Sequence, residues 1–265
     1  MLKDKRLKRL FNKSGRITVI PLDHGFTLGP IKGLNNFEKN IECLLKNVDS
    51  VILQKGMIMN HYEMLCDKNL GLIMHLSGNT SLSPQTNQKI LTGTVEEAIQ
   101  LGCDAVSIHV NVGSKFDTEM FKDFAEVSKE CYQNGMPLLA MMYARGNNIE
   151  SECDLKYIKH IARVAEEMGA DIVKVNYTGS KESFHEVIDG CKIPVIMAGG
   201  DVVDLKTLAT NVNDAIVSGA RGVAIGRNVF QAKNPEKVLS IINQLVHNGT
   251  NIDKMIYKSY LEASI

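Results

Sequence analysis

Short runs of β-branched and aliphatic residues alternate with helix-forming stretches eight times along this chain, and that rhythm leaves few folds open. The runs are Ile17–Leu22, Val51–Leu53, Leu72–His75, Ala105–Val110, Leu138–Met142, Ile172–Val175, Val195–Ala198 and Gly222–Ile225. Strands of a parallel sheet covered on both faces read as unbroken Val, Ile and Leu, as these do. The segments between them carry helix signals. Thr94 followed three residues later by Glu97 is a capping-box pattern. Gly102, Gly135, Gly169 and Gly219 stand where a helix must stop before the next run. Eight strand–helix units predict a single (β/α)8 TIM barrel over residues 1–265, with a short N-terminal helical extension. A doubly wound open sheet fits less well, because no G-x-G-x-x-G follows the first run.

At 265 residues and 44% hydrophobic content the chain can bury the core of one large domain. Lys+Arg and Asp+Glu both total 30, so nothing in the net charge favours nucleic acid or an anionic membrane surface. The one basic cluster, Lys3 to Arg9, is expected to be the solvated side of a short helix packed under the barrel or on a neighbouring subunit. No apolar h-region follows it, and no run approaches the ~18 apolar residues of a spanning helix. The six cysteines, Cys43, Cys66, Cys103, Cys131, Cys153 and Cys191, form no C-x-x-C pair. They read as reduced thiols, and the expected location is the cytoplasm.

A barrel of this kind carries its site at the carboxyl ends of its strands. Those ends offer Asp23 and His24, Lys55, His75 and Ser77, His109 and Asn111, Tyr143 and Arg145, Lys174, Gly199-Gly200 and Gly226-Arg227. Lys174 stands out because it interrupts the apolar run Ile172-Val173-Lys174-Val175. Burial disfavours the charged form of a lysine, and a desolvated amine forms Schiff bases with carbonyl substrates. A lysine near a strand end can also extend its charge to solvent, so the run alone leaves both readings open. Asp23 as a base and Tyr143 as a proton donor and acceptor would complete the chemistry. The paired glycines let backbone N–H groups approach an anion, in the loops where this fold usually holds a phosphate, and Arg227 adds a charge-assisted contact. Lys55 follows the polar Gln54 and is expected to be a charge partner at most. The competing reading is a divalent metal on Asp23, His24, His75 and His109, but no H-x-H or H-E-x-x-H spacing supports it. The polar stretch Gly78–Gly93 is expected to be a flexible loop over the active face.

With these residues in view, several motifs resemble the archaeal-type class I aldolases, the DhnA-type family. They are Pro21-Leu22-Asp23-His24-Gly25, His75-Leu76-Ser77-Gly78, Ser107-Ile108-His109-Val110-Asn111, Met141-Met142-Tyr143-Ala144-Arg145, Asp171-Ile172-Val173-Lys174 and Gly226-Arg227-Asn228. The likeness covers essentially the whole chain and is greatest to the branch that passes a ketose fragment to L-aspartate semialdehyde, an early step toward 3-dehydroquinate. It implies Lys174 as the Schiff-base former, Tyr143 as proton donor and Asp23 as proton acceptor, with no cofactor and no metal. Substrate contacts implied are His24, Gly25, Phe26, Thr27, Arg145, Val175, Asn176, Gly199, Gly200, Gly226 and Arg227. The implied partners are a phosphorylated ketose and an aldehyde, and the implied assembly is a homo-oligomer, a decamer. Fructose-1,6-bisphosphate aldolase and a dihydroxyacetone-phosphate-using synthase stay open, as does an autoinducer-type thiolase, which shares the fold and the lysine. A non-catalytic sugar-phosphate sensor would keep the barrel and the phosphate cradle. The chain departs from the pattern after the glycine pair, where Asp201-Val202-Val203-Asp204 replaces the usual Pro-Lys.

Overall fold

The computed structural model describes residues 2–66 and 69–249. Residues 250–265, included in the expected single domain, lie outside the described residues. Eight strands pair in parallel: β1 (Ile17–Pro21), β2 (Ser50–Leu53), β3 (Gly71–His75), β4 (Ala105–Val112), β5 (Leu138–Ala144), β6 (Ile172–Val175), β7 (Val195–Ala198) and β8 (Gly222–Ala224). They close in the ring order β1-β8-β7-β6-β5-β4-β3-β2, so every strand lies beside its neighbours in sequence. Helices connect them on the outside, as right-handed crossovers require. Thr94 and Glu97 form the expected capping box at the helix Val95–Gln100. The helix Asp117–Asn134 ends at Gly135 with φ of +56°, a conformation that favours glycine.

Successive side chains of a strand point to opposite faces, and that period of two sorts the core. Ile17, Val19, Ile52, Ile73, Ala105, Leu139, Met141, Ile172, Ile196 and Ala224 fill the barrel interior. Their neighbours, such as Ile20, Val51, Leu72, Val106, Ala140 and Val173, pack outward against the helices. Both faces are therefore apolar, which is why the strands read as continuous runs. The same alternation puts Lys174 inside, two residues beyond Ile172. It pairs in register with Met141 on β5 and Ile196 on β7.

The N-terminal helix Leu2–Leu10 closes the bottom of the barrel. Leu10 is fully buried among the interior residues, and its carbonyl accepts a hydrogen bond from Ser50 Oγ at 3.2 Å. Gly71 makes the approach possible: a Cβ there would lie 3.0 Å from Leu10 Cδ2 and 3.1 Å from Arg9 O. The basic cluster binds the barrel underside. Lys3 pairs with Asp171 at 2.8 Å, Arg6 donates to the carbonyls of Asn134 and Gly135, and Arg9 pairs with Asp104.

The stretch 78–93 is more ordered than its composition predicts. Ser77–Gly78 pairs antiparallel with Ile90–Leu91, Ser81 N donates to Thr27 O at 2.9 Å, and Asn111 Nδ2 donates to Asn87 O at 2.8 Å. Its backbone supplies these bonds, and its polar side chains add more: Asn79 Nδ2 donates to the carbonyls of Gln85 and Gln88 at 2.8 Å, and Thr92 Oγ1 donates to Gln54 Oε1 at 3.0 Å. For the helix beneath the barrel, Leu10→Ala is expected to cost about 2–5 kcal/mol, as for other large-to-small changes in closed cores. Denaturant unfolding measures it; a loss below about 1 kcal/mol would mean the helix does not seal the core.

Candidate active site

At the carboxyl ends of the strands lies a cavity of about 620 Å³. Lys174 and Tyr143 share its wall with Arg145, Asn176 and His24, and the loops after β7 and β8 contribute Gly199, Gly200, Gly226 and Arg227. Lys174 is 6% exposed, and among the described residues its ammonium has no hydrogen bond or ion pair. Tyr143, one layer above Met141 on β5, is half-buried and sandwiched: the His109 ring lies 4.8 Å from its ring, and the Arg145 guanidinium stands 4.6 Å over it. Arg145 is itself held by both oxygens of Glu152 at 2.9 Å.

Asp23 follows β1 and sits between two histidines, each with a ring nitrogen 3.8 Å from a carboxylate oxygen: His75 Nε2 and His24 Nδ1. Burial alone would raise the Asp23 carboxyl. The positive charge of His75, His24 and Lys174 around it outweighs that and holds it below the ordinary carboxylate range. Burial also pushes both imidazoles below their ordinary value of 6.5, against the pull of Asp23. At neutral pH the imidazoles are therefore uncharged, and their pull on Asp23 comes only once acid protonates them. His75 is oriented by Ser107 Oγ, 2.8 Å from its Nδ1. His109, held well below 6.5 by burial, bonds Asn111 Oδ1 at 2.8 Å.

The two glycine-bearing loops are joined by Asn228. Its Nδ2 donates to the carbonyls of Gly199 and Asp201, and its Oδ1 accepts from Val203 N at 2.9 Å. Gly226 must lack a side chain, since a Cβ would lie 2.8 Å from His24 Cε1 and 2.9 Å from Pro21 O. These approaches bring the backbone of both loops to one end of the cavity, an arrangement suited to an anion.

Not every residue expected at the site lies there. The Val175 side chain belongs to the outer core, because a residue beside the inward Lys174 must point outward. Gly25 and Phe26 line a second, apolar hollow of about 530 Å³ that also takes in Lys55, and Asp23, within electrostatic reach of Lys174, borders that hollow too. Phe26 lies against Gly78, and the Thr27 carbonyl receives Ser81 N, so both anchor the hairpin. Lys55 is paired with Glu97 at 2.6 Å. Ser77 Oγ accepts the backbone N–H of His109. Asn176 reaches Glu152 O at 3.2 Å while lining the cavity. Glu152 and Asn228 were not among the expected site residues. Asn228 could have been noticed as the polar residue that follows Gly226-Arg227 in a motif, whereas nothing local marks Glu152. Among the described residues no three His, Cys, Asp or Glu side chains group closely enough to hold a metal ion, and no helix is long and apolar enough to cross a membrane.

The geometry can be set against known proteins. The DeoC/LacD family aldolase profile matches residues 17–232. The chain belongs to that family of aldolases. It is 40% identical over 254 residues to 2-amino-3,7-dideoxy-D-threo-hept-6-ulosonate synthase 1 of Archaeoglobus fulgidus, covering 96% of this chain and 94% of that one. It is 38% identical to 2-amino-4,5-dihydroxy-6-oxo-7-(phosphonooxy)heptanoate synthase of Streptomyces griseus, covering 92% and 90%. An archaeal fructose 1,6-bisphosphate aldolase superposes with a TM-score of 0.86 at 29% identity, over 94% of this chain and all of that one. Another solved archaeal fructose-1,6-bisphosphate aldolase, 28% identical with a TM-score of 0.83 and covering 93% and 100%, has its catalytic lysine covalently bound to a carbinolamine.

The buried imidazoles make stability depend on pH. A folded-state value below 6.5 means that the unfolded chain takes up the proton first, so stability is full above 6.5 and falls as pH drops toward the folded value. Thermal unfolding is expected to move several degrees lower between pH 7.5 and pH 5. His75→Asn should flatten that slope; an unchanged slope would remove His75 from the account.

Proposed function

We propose that this aldolase-family protein uses Lys174 to form a Schiff base with a phosphorylated keto-sugar and transfers the bound ketose fragment to L-aspartate semialdehyde, as a 2-amino-3,7-dideoxy-D-threo-hept-6-ulosonate synthase. The observation that carries the reading is a buried, unpaired lysine on a cavity wall shared with Tyr143 and the glycine loops. The similarity to two synthases with seven-carbon products supports a synthase, and L-aspartate semialdehyde as acceptor is taken from the family resemblance.

The neutral amine of Lys174 adds to the ketose carbonyl and gives a carbinolamine. Tyr143 donates a proton to the carbinolamine hydroxyl, which leaves as water, and an iminium forms. The electrons of the adjacent carbon–carbon bond flow into that iminium as the bond breaks, while Asp23, kept ionised, takes the proton of the departing hydroxyl group. The cleaved fragment leaves as an aldehyde. The resulting enamine attacks the acceptor aldehyde, whose oxygen takes the proton back from Asp23. Water then adds to the iminium, returning a proton to Tyr143 and releasing the product from Lys174. The glycine loops and Arg227 hold the phosphate, so binding energy distant from the reacting carbons positions them. The lysine supplies the electron sink, so the proposed chemistry needs no metal. The homo-oligomer, taken as a decamer, is proposed on the same family resemblance, and the cytoplasmic location on the scattered, unpaired spacing of the six cysteines.

A second reading, fructose-1,6-bisphosphate aldolase, is supported by the 28–29% identical structures. The two differ in whether aspartate semialdehyde is consumed.

Incubation with fructose 1,6-bisphosphate or dihydroxyacetone phosphate followed by borohydride is expected to add a ligand-sized mass at Lys174, read by peptide mass spectrometry. Lys174→Ala should lose far more than tenfold in rate, about 1.4 kcal/mol of barrier, with its fold intact. A variant above a tenth of the wild-type rate would place the nucleophile elsewhere. EDTA should leave activity unchanged; loss on chelation with recovery in zinc would overturn the scheme.

A further inference from the structure

The anion-binding end of the cavity carries a negative charge of its own. Arg227 Nη2 donates to Gly200 O and to Asp201 Oδ1, each at 3.0 Å. The Asp201 side chain is 92% exposed, and Arg227 is the partner the structure gives it. Its backbone, by contrast, is fixed independently: Asn228 Nδ2 donates to the Asp201 carbonyl at 2.9 Å. The cavity's other arginine, Arg145, is likewise held by a carboxylate, that of Glu152.

A guanidinium donates to a carboxylate as it does to a phosphate, and here a single nitrogen, Nη2, makes the contacts to both Gly200 O and Asp201 Oδ1. A carboxylate on the residue directly after Gly200 therefore takes a donor of the arginine that the loops would offer to an anion. We propose that Asp201 is a specificity-determining residue: in the free enzyme it occupies Arg227 as an internal stand-in for the substrate's phosphate, and an arriving phosphate must displace it. The inference rests on the reading of these loops as a phosphate cradle.

The energetics fit a displaceable stand-in rather than a structural bond. An exposed pair of this kind contributes little to stability, so it yields readily. After displacement, however, the carboxylate stays tethered one residue from the cradle and repels the bound phosphate. Asp201 thus lowers affinity for a phosphate, and more so for a dianion than for a monoanion. The loop frame does not depend on its side chain, so substitution leaves the backbone cradle in place.

Calorimetric titration of inorganic phosphate into the wild type, Asp201→Asn and Asp201→Glu tests this, followed by KM for the phosphorylated ketose. Asp201→Asn is expected to bind phosphate about three- to tenfold more tightly and to lower KM by a similar factor. Asp201→Glu keeps the charge and should stay within about twofold of the wild type. The gap between wild type and Asp201→Asn should narrow in about 1 M salt, where the Debye length is ~3 Å. A merely structural role for Asp201 would not give that salt dependence. Equal or weaker phosphate binding by Asp201→Asn overturns the inference. If the wild type still traps a ketose phosphate on Lys174 in that case, only the inference fails. If neither protein binds phosphate and no ketose is trapped, the functional reading fails with it.

Discussion

The charge placed inside the mouth of the barrel governs the rest of this structure. Lys174 stands on the inner face of β6, has no hydrogen bond or ion pair among the described residues, and helps to hold the Asp23 carboxyl low. Removing two opposite charges from water is costly, and their attraction offsets it only when the surroundings keep both in position. His75 and His24 do that for Asp23 without adding charge at neutral pH, since burial keeps them neutral. Ser107 orients His75, and Ser77 receives the backbone of His109. The polar residues at these strand ends thus form a connected support for one acid and one amine. A solvated aqueous mouth would not need them.

The barrel makes that placement possible through register. Lys174 is level with Met141, and Met141 is level with His109, so the three stand at one height around the ring. Tyr143 is one inward step higher on β5. Below, the interior is apolar and closed by Leu10, which keeps water from reaching the lysine from beneath. A rigid, filled lower barrel beneath a polar upper layer separates stability from chemistry, so the loops above can vary with little effect on the core. Asn228 extends the same logic to the anion end, where one side chain holds two loops at a fixed separation.

Much of this was legible in the chain because it is local. Each strand declares itself by its own apolar run, and the capping box at Thr94 and the helix stop at Gly135 follow from bonds within a few residues. Lys174 was visible for the same reason: a charge in a buried run is anomalous wherever the run lies. The misplacements share a different cause. Val175 was implied at the ligand by the family resemblance, yet a residue next to the inward Lys174 in a strand turns its side chain to the opposite face. Phe26 and Thr27 lie near Asp23 in sequence but serve the hairpin, whose partner strand arrives from residues 90–91. The stretch 78–93 has the composition of a flexible loop, and only distant partners such as Thr27 and Asn111 reveal its stitching.

The sequence by itself determined that the chain folds as eight strand–helix units, and that a lysine, a tyrosine and an aspartate stand at strand ends. Those facts depend on short-range periodicity and on the cost of a buried charge. Tertiary structure alone decided which polar groups are spent on one another: Lys55 on Glu97, Arg145 on Glu152, Arg227 on Asp201, and Asn228 on the backbone of the loop after β7. Such pairings join residues 7 to 42 positions apart. The closure of the barrel, and no local preference, brings those residues within hydrogen-bonding distance.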